Sequence, residues 1–201
     1  MGFACVVVVW ELAGVWRVFL AGGSAMAFDP RKLTVKAGEA IQRAQELVEQ
    51  RQHRFVRPLH LLKSLLQEQD GLVSPLLQKL GVHTGRLQQL VDGELGRLPQ
   101  SSSTGEAVGA GPEAMKVLNA AKKQADVMGD EYTSTEHLLL ALSQVEDQAK
   151  RLLSLSGVEE RDLLEAVKGI RGGQTVQDQN PEEKFQALEK YSVDLTARAR
   201  A

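Results

Sequence analysis

The chain has 201 residues, 43% apolar and 25% charged, with a formal net charge of −2 at neutral pH. That length and composition suit a globular chain with a sizeable core. The near-neutral charge offers no basic field for a phosphate backbone, and the single cysteine, Cys5, excludes an internal disulfide. No Cys/His cluster has zinc-site spacing. We therefore expect an intracellular, cytoplasmic protein that holds no metal and has no nucleic-acid partner.

Residues 1–25 differ in composition from the remainder. They carry only two charged side chains, Glu11 and Arg17, together with both tryptophans and a run of four valines. A signal peptide needs a basic start that this segment lacks, and as a membrane span it is short and interrupted by charges. We expect a start codon placed too early, with Met26 as the true start. A signal or anchor is the alternative, and no membrane partner is expected.

Apolar residues recur at helical spacing from Thr34 onward. A first helix is predicted to run to about Gln50, and a second to begin at Pro58 and end at Asp70-Gly71. A third, short helix is closed by Gly81, and a fourth ends near Gly96. The predicted buried faces of these four helices contain Ala37, Ala40, Ile41, Ala44, Leu47, Val48; Leu59, Leu61, Leu62, Leu65, Leu66; Leu76, Leu77, Leu80; and Leu87, Leu90, Val91, Leu95.

The four-helix pattern occurs twice. Residues 98–112 are small, polar and rich in Gly, Ser and Pro, which is typical of a linker. After it, a shift of 77 residues places Phe55 on Tyr132 and His60 on His137, and a shift of 76 places Gly81 on Gly157. The sequence predicts an all-α fold: a duplicated four-helix motif, with repeats at 34–97 and 113–173, that forms an eight-helix pseudo-twofold bundle.

Two features at the predicted helix starts have both a structural and a functional interpretation. His60 and His137 occupy equivalent places; we expect each to tie the start of its helix to a neighbouring carbonyl, and a paired functional site is the less favoured alternative. The segment 133–136 has the form of a capping box, in which Thr133 or Ser134 accepts from the first turn and Glu136 reaches back to a free amide.

The duplicated motif resembles a known family. Two copies of a helix leading into Phe/Tyr-x-x-x-x-His-Leu-Leu, each followed by Leu-Leu-x-x-x-Gly-Val, are similar to the N-terminal repeat domain of Clp chaperones. The resemblance covers about residues 28–173, within a domain predicted at 26–173. Residues 171–179 and 187–199 look like the linker and the lead-in helix to the first ATPase module of ClpB, so residues 174–201 are predicted to be a flexible tether and a helix whose partner is that module.

The resemblance implies a function for the chain. It would be the substrate-engaging N-terminal domain of a ClpB-like disaggregase that binds unfolded or aggregated polypeptides. The complete protein would be a hexameric ATPase using ATP and Mg²⁺ with the DnaK system, and this part alone would be a monomer. The family's substrate-contact residues fall on Thr34, Asp130 and Glu136. The sequence has no Gly-x-x-x-x-Gly-Lys-Ser/Thr loop, so we expect no cofactor and no enzymatic activity in this chain itself.

Two other functions stay open at this point. The same repeat domain resembles the adaptor-docking N-domain of ClpA-like or ClpC-like protease partners, which would bind a folded adaptor instead of loose chains. A short stand-alone regulator of the full chaperone is the second alternative. The apolar side of the predicted helix around Tyr191 argues against it, since that side has no partner within the repeats.

Overall fold

A computed structural model of the protein describes residues 29–68, 71–101 and 108–181. These residues form eight α-helices, preceded by a short 3-10 helix at Pro30–Lys32. The helices are α1 (Val35–Gln50), α2 (Pro58–Leu66), α3 (Val73–Lys79), α4 (Thr84–Gly96), α5 (Pro112–Met128), α6 (Thr135–Gln144), α7 (Gln148–Leu155) and α8 (Glu160–Arg171). The prediction of an all-α fold with eight helices is confirmed for this part of the chain.

The helix boundaries follow from local chemistry. Thr34 caps α1, because its Oγ1 accepts a hydrogen bond from the Ala37 N–H at 3.2 Å. Pro58 and Pro112 occupy the first positions of α2 and α5, where a missing N–H costs nothing. Gly129 ends α5 in the left-handed region, with φ of 73°.

Backbone hydrogen bonds between the repeats show the pseudo-twofold relation. The segment before α1 pairs in parallel with Thr133 in a loop of the second repeat, and the segment before α5 pairs in parallel with Val56 in a loop of the first repeat. The four bonds are Val56 N–H to Gly109 O (3.0 Å), Gly111 N–H to Val56 O (2.9 Å), Thr133 N–H to Lys32 O (2.7 Å) and Thr34 N–H to Thr133 O (3.0 Å). A shift of 77 residues relates the two bonds of Val56 to the two bonds of Thr133, atom for atom. The duplication is therefore confirmed.

The second helix of each repeat lies at the centre of the core. All residues of α2 are buried, and so are those of α6 from Thr135 to Ser143. The other helices pack around this pair, each burying one apolar stripe. Burial on every side explains why these two helices contain nearly continuous leucine runs instead of an amphipathic pattern.

Several details differ from the sequence expectation, and two predicted segments lie outside the described residues. Leu47 and Leu80 were expected on buried faces but are only partly buried. Leu90 was expected on the buried face of α4 but is 40% exposed, because Leu87, Val91 and Leu95 already fill the face toward the core. α2 ends at Leu66, before the predicted stop at Asp70-Gly71. The leader at 1–25 and the predicted lead-in helix after Pro181 are not among the described residues.

Candidate functional site

Thr34 lies where the start of α1 meets the loop before α6, a region that we call the α1–α6 junction. Its side chain caps α1, its backbone N–H donates to the Thr133 carbonyl at 3.0 Å, and only 1% of the residue is exposed. Its neighbour Val35 is 45% exposed and donates its N–H to the Gln179 carbonyl at 2.9 Å. The junction therefore presents an apolar side chain above a buried, hydrogen-bonded threonine.

Asp130 and Glu136 lie at the same junction and share one cation, Arg171. The guanidinium donates from Nη1 to Asp130 Oδ2 at 2.5 Å, and from Nε and Nη2 to Glu136 Oε1 at 3.0 and 2.8 Å. All three side chains are buried. We call Asp130, Glu136, His137 and Arg171 the Arg171 network; it joins the end of α8 to the start of α6.

The network shifts the pKa values of two of its members, Asp130 and Arg171. Burial alone would raise the pKa of Asp130, but hydrogen bonds from His137, the Val176 N–H and Arg171 outweigh it and hold the pKa below its ordinary value. Burial likewise works to lower the pKa of Arg171, and the carboxylates of Glu136 and Asp130 raise it above its ordinary value. Asp130 and Arg171 are thus both charged at neutral pH, which a buried site allows only when the charges are paired.

The cap of α6 differs from the expected capping box. Ser134 is the N-cap, and its backbone N–H donates to His137 Nδ1 at 2.9 Å. Glu136 therefore does not reach back to the helix start, because Arg171 holds its carboxylate. In α2, His60 Nδ1 likewise accepts from the Arg57 N–H at 3.0 Å. The prediction that both histidines tie down their helix starts is correct, but the partner is an N–H and not a carbonyl.

The chain after α8 packs against the junction. Val176 is fully buried; its N–H donates to Asp130 Oδ1 at 2.6 Å and its carbonyl accepts from the Glu131 N–H at 2.9 Å. The expectation that residues 174–179 are a flexible tether is wrong for this reason. Gly172 and Gly173, both with positive φ, turn the chain back onto the domain, and the packed structure continues past Gly173.

Sequence reasoning missed Arg171 and Val176 as parts of the site. A signal for Arg171 existed, since the 76-residue shift places it on Leu95, a position that is fully buried in the first repeat. A charge at a core position requires a buried partner of opposite sign. For Val176 there was no such signal, because it is a single apolar residue in a polar, glycine-led segment.

The described residues place Thr34, Asp130 and Glu136 together, yet each is buried. Their contact with substrate stays a prediction. The same part of the chain has no group of three or more His, Cys, Asp or Glu side chains that could hold a metal ion. No helix within the described ranges is long and apolar enough to cross a membrane.

The family model for the Clp repeat N-terminal domain matches residues 32–156. The chain belongs to the Clp N-terminal repeat domain family. Among its relatives, chaperone protein ClpB of Rhodopirellula baltica is 41% identical over 177 residues, covering 88% of this chain. Chaperone protein ClpB 1 of Thermosynechococcus vestitus is 42% identical over 172 residues, covering 86%. The predicted family and its ClpB type are confirmed.

Solved structures share the Clp N-domain fold. The Hsp104 N-terminal domain from Candida albicans superposes with a TM-score of 0.68 at 22% identity, covering 75% of this chain and 99% of that domain. A ClpV N-domain, solved in complex with a VipB peptide, superposes with a TM-score of 0.58 at 20% identity, covering 72% and 90%. The chain spans 20% of the length of both ClpB relatives named above.

Proposed function

We propose that this Clp N-domain is the substrate-engaging domain of a ClpB-like, ATP-dependent protein disaggregase and that it binds unfolded or aggregated polypeptides. The observation that supports this most directly is the identity of about two residues in five to proteins named chaperone ClpB, over most of the chain. The domain supplies capture; ATP and Mg²⁺, a hexameric ring and cooperation with the DnaK system, in the cytoplasm, belong to the complete protein in this proposal.

Capture takes place at the α1–α6 junction. Val35 offers an exposed apolar side chain there, and exposed apolar side chains are what distinguish unfolded polypeptides from folded ones. Thr34, Asp130 and Glu136 belong to the site but act from below its surface, since all three are buried. They are positioning residues: Thr34 fixes the start of α1, and the carboxylates fix the start of α6 through Arg171.

A peptide-bound ClpV N-domain supports the use of this fold for peptide capture. The junction has one exposed apolar anchor among its described residues, so single-site binding is expected to be weak, on the order of micromolar or weaker. Several copies in a ring would raise the effective affinity through local concentration.

The experiment measures binding of fluorescently labelled unfolded casein to the chain by anisotropy, with no adaptor present. Replacing the three buried residues would also unfold the junction, so the informative variant is Val35→Asp, which changes an exposed side chain. The matched control is Leu155→Asp, because Leu155 is 80% exposed at the end of α7.

We expect Val35→Asp to weaken casein binding at least threefold and Leu155→Asp to leave it unchanged. Equal binding by both variants would contradict the location of the site. Failure of the wild-type chain to bind casein at all would contradict capture of unfolded chains and favour the adaptor-docking function.

A further inference from the structure

The first repeat has two hydrogen-bonded histidines, His53 and His60, where the second repeat has Asp130 and His137. His60 Nε2 lies 2.8 Å from His53 Nδ1. Because His60 Nδ1 already accepts the Arg57 N–H, the hydrogen of the neutral imidazole is on Nε2, which donates to His53. His60 is fully buried, and His53 is half-buried at the surface of the loop before α2.

The loop that carries His53 is also where the inter-repeat linker docks. The carbonyl of Gln52 accepts from the Ser101 N–H at 2.7 Å, on the chain leaving α4. Val56 pairs on both sides with the chain entering α5, through the carbonyl of Gly109 and the N–H of Gly111. Gly111 packs so closely on Phe55 that a Cβ there would lie 2.4 Å from the ring. The position of this loop therefore decides how the linker is held.

The hydrogen bond between the two imidazoles does not survive protonation. A proton added to His53 goes to Nδ1, the nitrogen that accepts the bond. His60 then has no lone pair to offer, because one nitrogen accepts a backbone N–H and the other carries a hydrogen. Two N–H groups would face each other across 2.8 Å, and the two rings must separate.

The charges around the pair resist its protonation. Arg51, at the end of α1, and Arg57, in the loop, both face the imidazoles; Asp92 of α4 is engaged by Arg51 at 2.8 Å and by Lys63 of α2 at 2.6 Å. Burial and these two cations lower the pKa of His53, whereas burial and the neighbouring His53 lower the pKa of His60 to about 4. His53, being half-buried, is the group that titrates first as the pH falls.

We propose that the hydrogen bond from His60 to His53 is an acid-sensitive latch, which holds the first repeat's loop against the inter-repeat linker and opens on mild acidification. The second repeat has no such latch, because His137 donates to Asp130, whose carboxylate stays ionised. The proposal is independent of the substrate-engaging function, since it concerns only contacts within the domain.

The test is hydrogen exchange of backbone amides in the full chain, corrected for intrinsic rates, from about pH 7 to about pH 5. We expect the protection factors of the Val56, Gly111 and Ser101 amides to fall at least tenfold. The Thr133 and Thr34 amides, which make the equivalent bonds in the second repeat, are the internal control. Their protection should fall by no more than the loss of global stability, and at least tenfold less than that of the first three amides.

His53→Asp is the decisive variant because it copies the second repeat. Asp at this position accepts the same hydrogen bond and stays ionised at about pH 5, so the protection of all five amides should be independent of pH. His53→Asn, which accepts without titrating, gives a second test if the first variant folds poorly. Constant protection in the wild-type chain, or an equal loss in a folded His53 variant, would overturn the latch.

Discussion

His53 and Asp130 lie 77 residues apart and accept the same hydrogen bond, each from the histidine seven residues later. The donor–acceptor distance is 2.8 Å from His60 to His53 and 2.9 Å from His137 to Asp130. Duplication has preserved the geometry of this contact and exchanged its chemistry. An imidazole that titrates accepts in one repeat, and a carboxylate that stays charged accepts in the other.

The exchange extends to two further positions. Glu136 and Arg171 of the second repeat correspond to Leu59 and Leu95 of the first, and all four are buried. At these two positions the core of the first repeat is filled by apolar side chains, whereas the core of the second repeat holds a buried ion pair. Replacing buried ions by well-packed apolar groups is often neutral or stabilising, whereas breaking a buried pair is not.

Arg171→Leu should destabilise the domain by about 3–5 kcal/mol, because it leaves the Asp130 and Glu136 carboxylates buried without a cation. Urea denaturation followed by circular dichroism measures the change. The control is the triple variant Asp130→His, Glu136→Leu and Arg171→Leu, which copies the first repeat and should recover most of the loss. A single variant as stable as the wild type would contradict the Arg171 network.

Exchanging the residue types of two equivalent positions tests the left-handed backbone conformation that follows α1 and α5. Gln52 has φ of 55°, and Gly129, its equivalent, has φ of 73°. Gln52→Gly should stabilise the domain by about 0.5–1 kcal/mol, and Gly129→Gln should destabilise it by about 1–2 kcal/mol, since only glycine adopts this region without strain. Thermal unfolding of both variants measures the two changes in stability. Changes of the same sign would contradict the argument.

Val176→Ala should destabilise the domain by about 1–3 kcal/mol, because it removes two methyl groups from a fully buried site. Thr175→Ala is the control, since Thr175 is exposed, and should change stability by less than about 0.5 kcal/mol. Urea denaturation of the two variants decides the issue. Equal stability would mean that residues 174–179 are a free tether after all.

Acidification should destabilise the domain in a definite window. In the unfolded chain His60 binds a proton near pH 6.5, but its folded pKa is about 4, so stability is full above the first value and falls as the pH drops toward the second. This group alone accounts for up to about 3 kcal/mol. Urea denaturation at a series of pH values measures it, and His60→Gln should flatten the profile. An unchanged profile in that variant would assign the loss to other groups.

The parts of the structure that the sequence predicted are those set by local patterns. Helical spacing of apolar residues, prolines at helix starts and the 77-residue repeat led to the correct fold, since each is a short-range signal. The Arg171 network could not be assembled in this way. It joins side chains 35 and 41 residues apart, and a capping motif at Glu136 offered a plausible local alternative.

The tether was mispredicted for a related reason. Its composition is polar and it begins with two glycines, which normally indicates a flexible linker. One buried valine, Val176, is enough to hold the segment against the domain, because its main chain also makes hydrogen bonds to Asp130 and Glu131. The composition of a segment is an average over its residues, so it does not reveal that one side chain, Val176, is buried.

An NMR titration of the isotope-labelled chain with unfolded casein tests the central claim most directly, because it locates binding without any substitution. The account predicts that the shifted amide signals cluster at the α1–α6 junction, around Val35, Glu131 and Gln179. Signals that instead shift around the exposed Leu90 and Leu155 of α4 and α7, or no shifts at all, would contradict it.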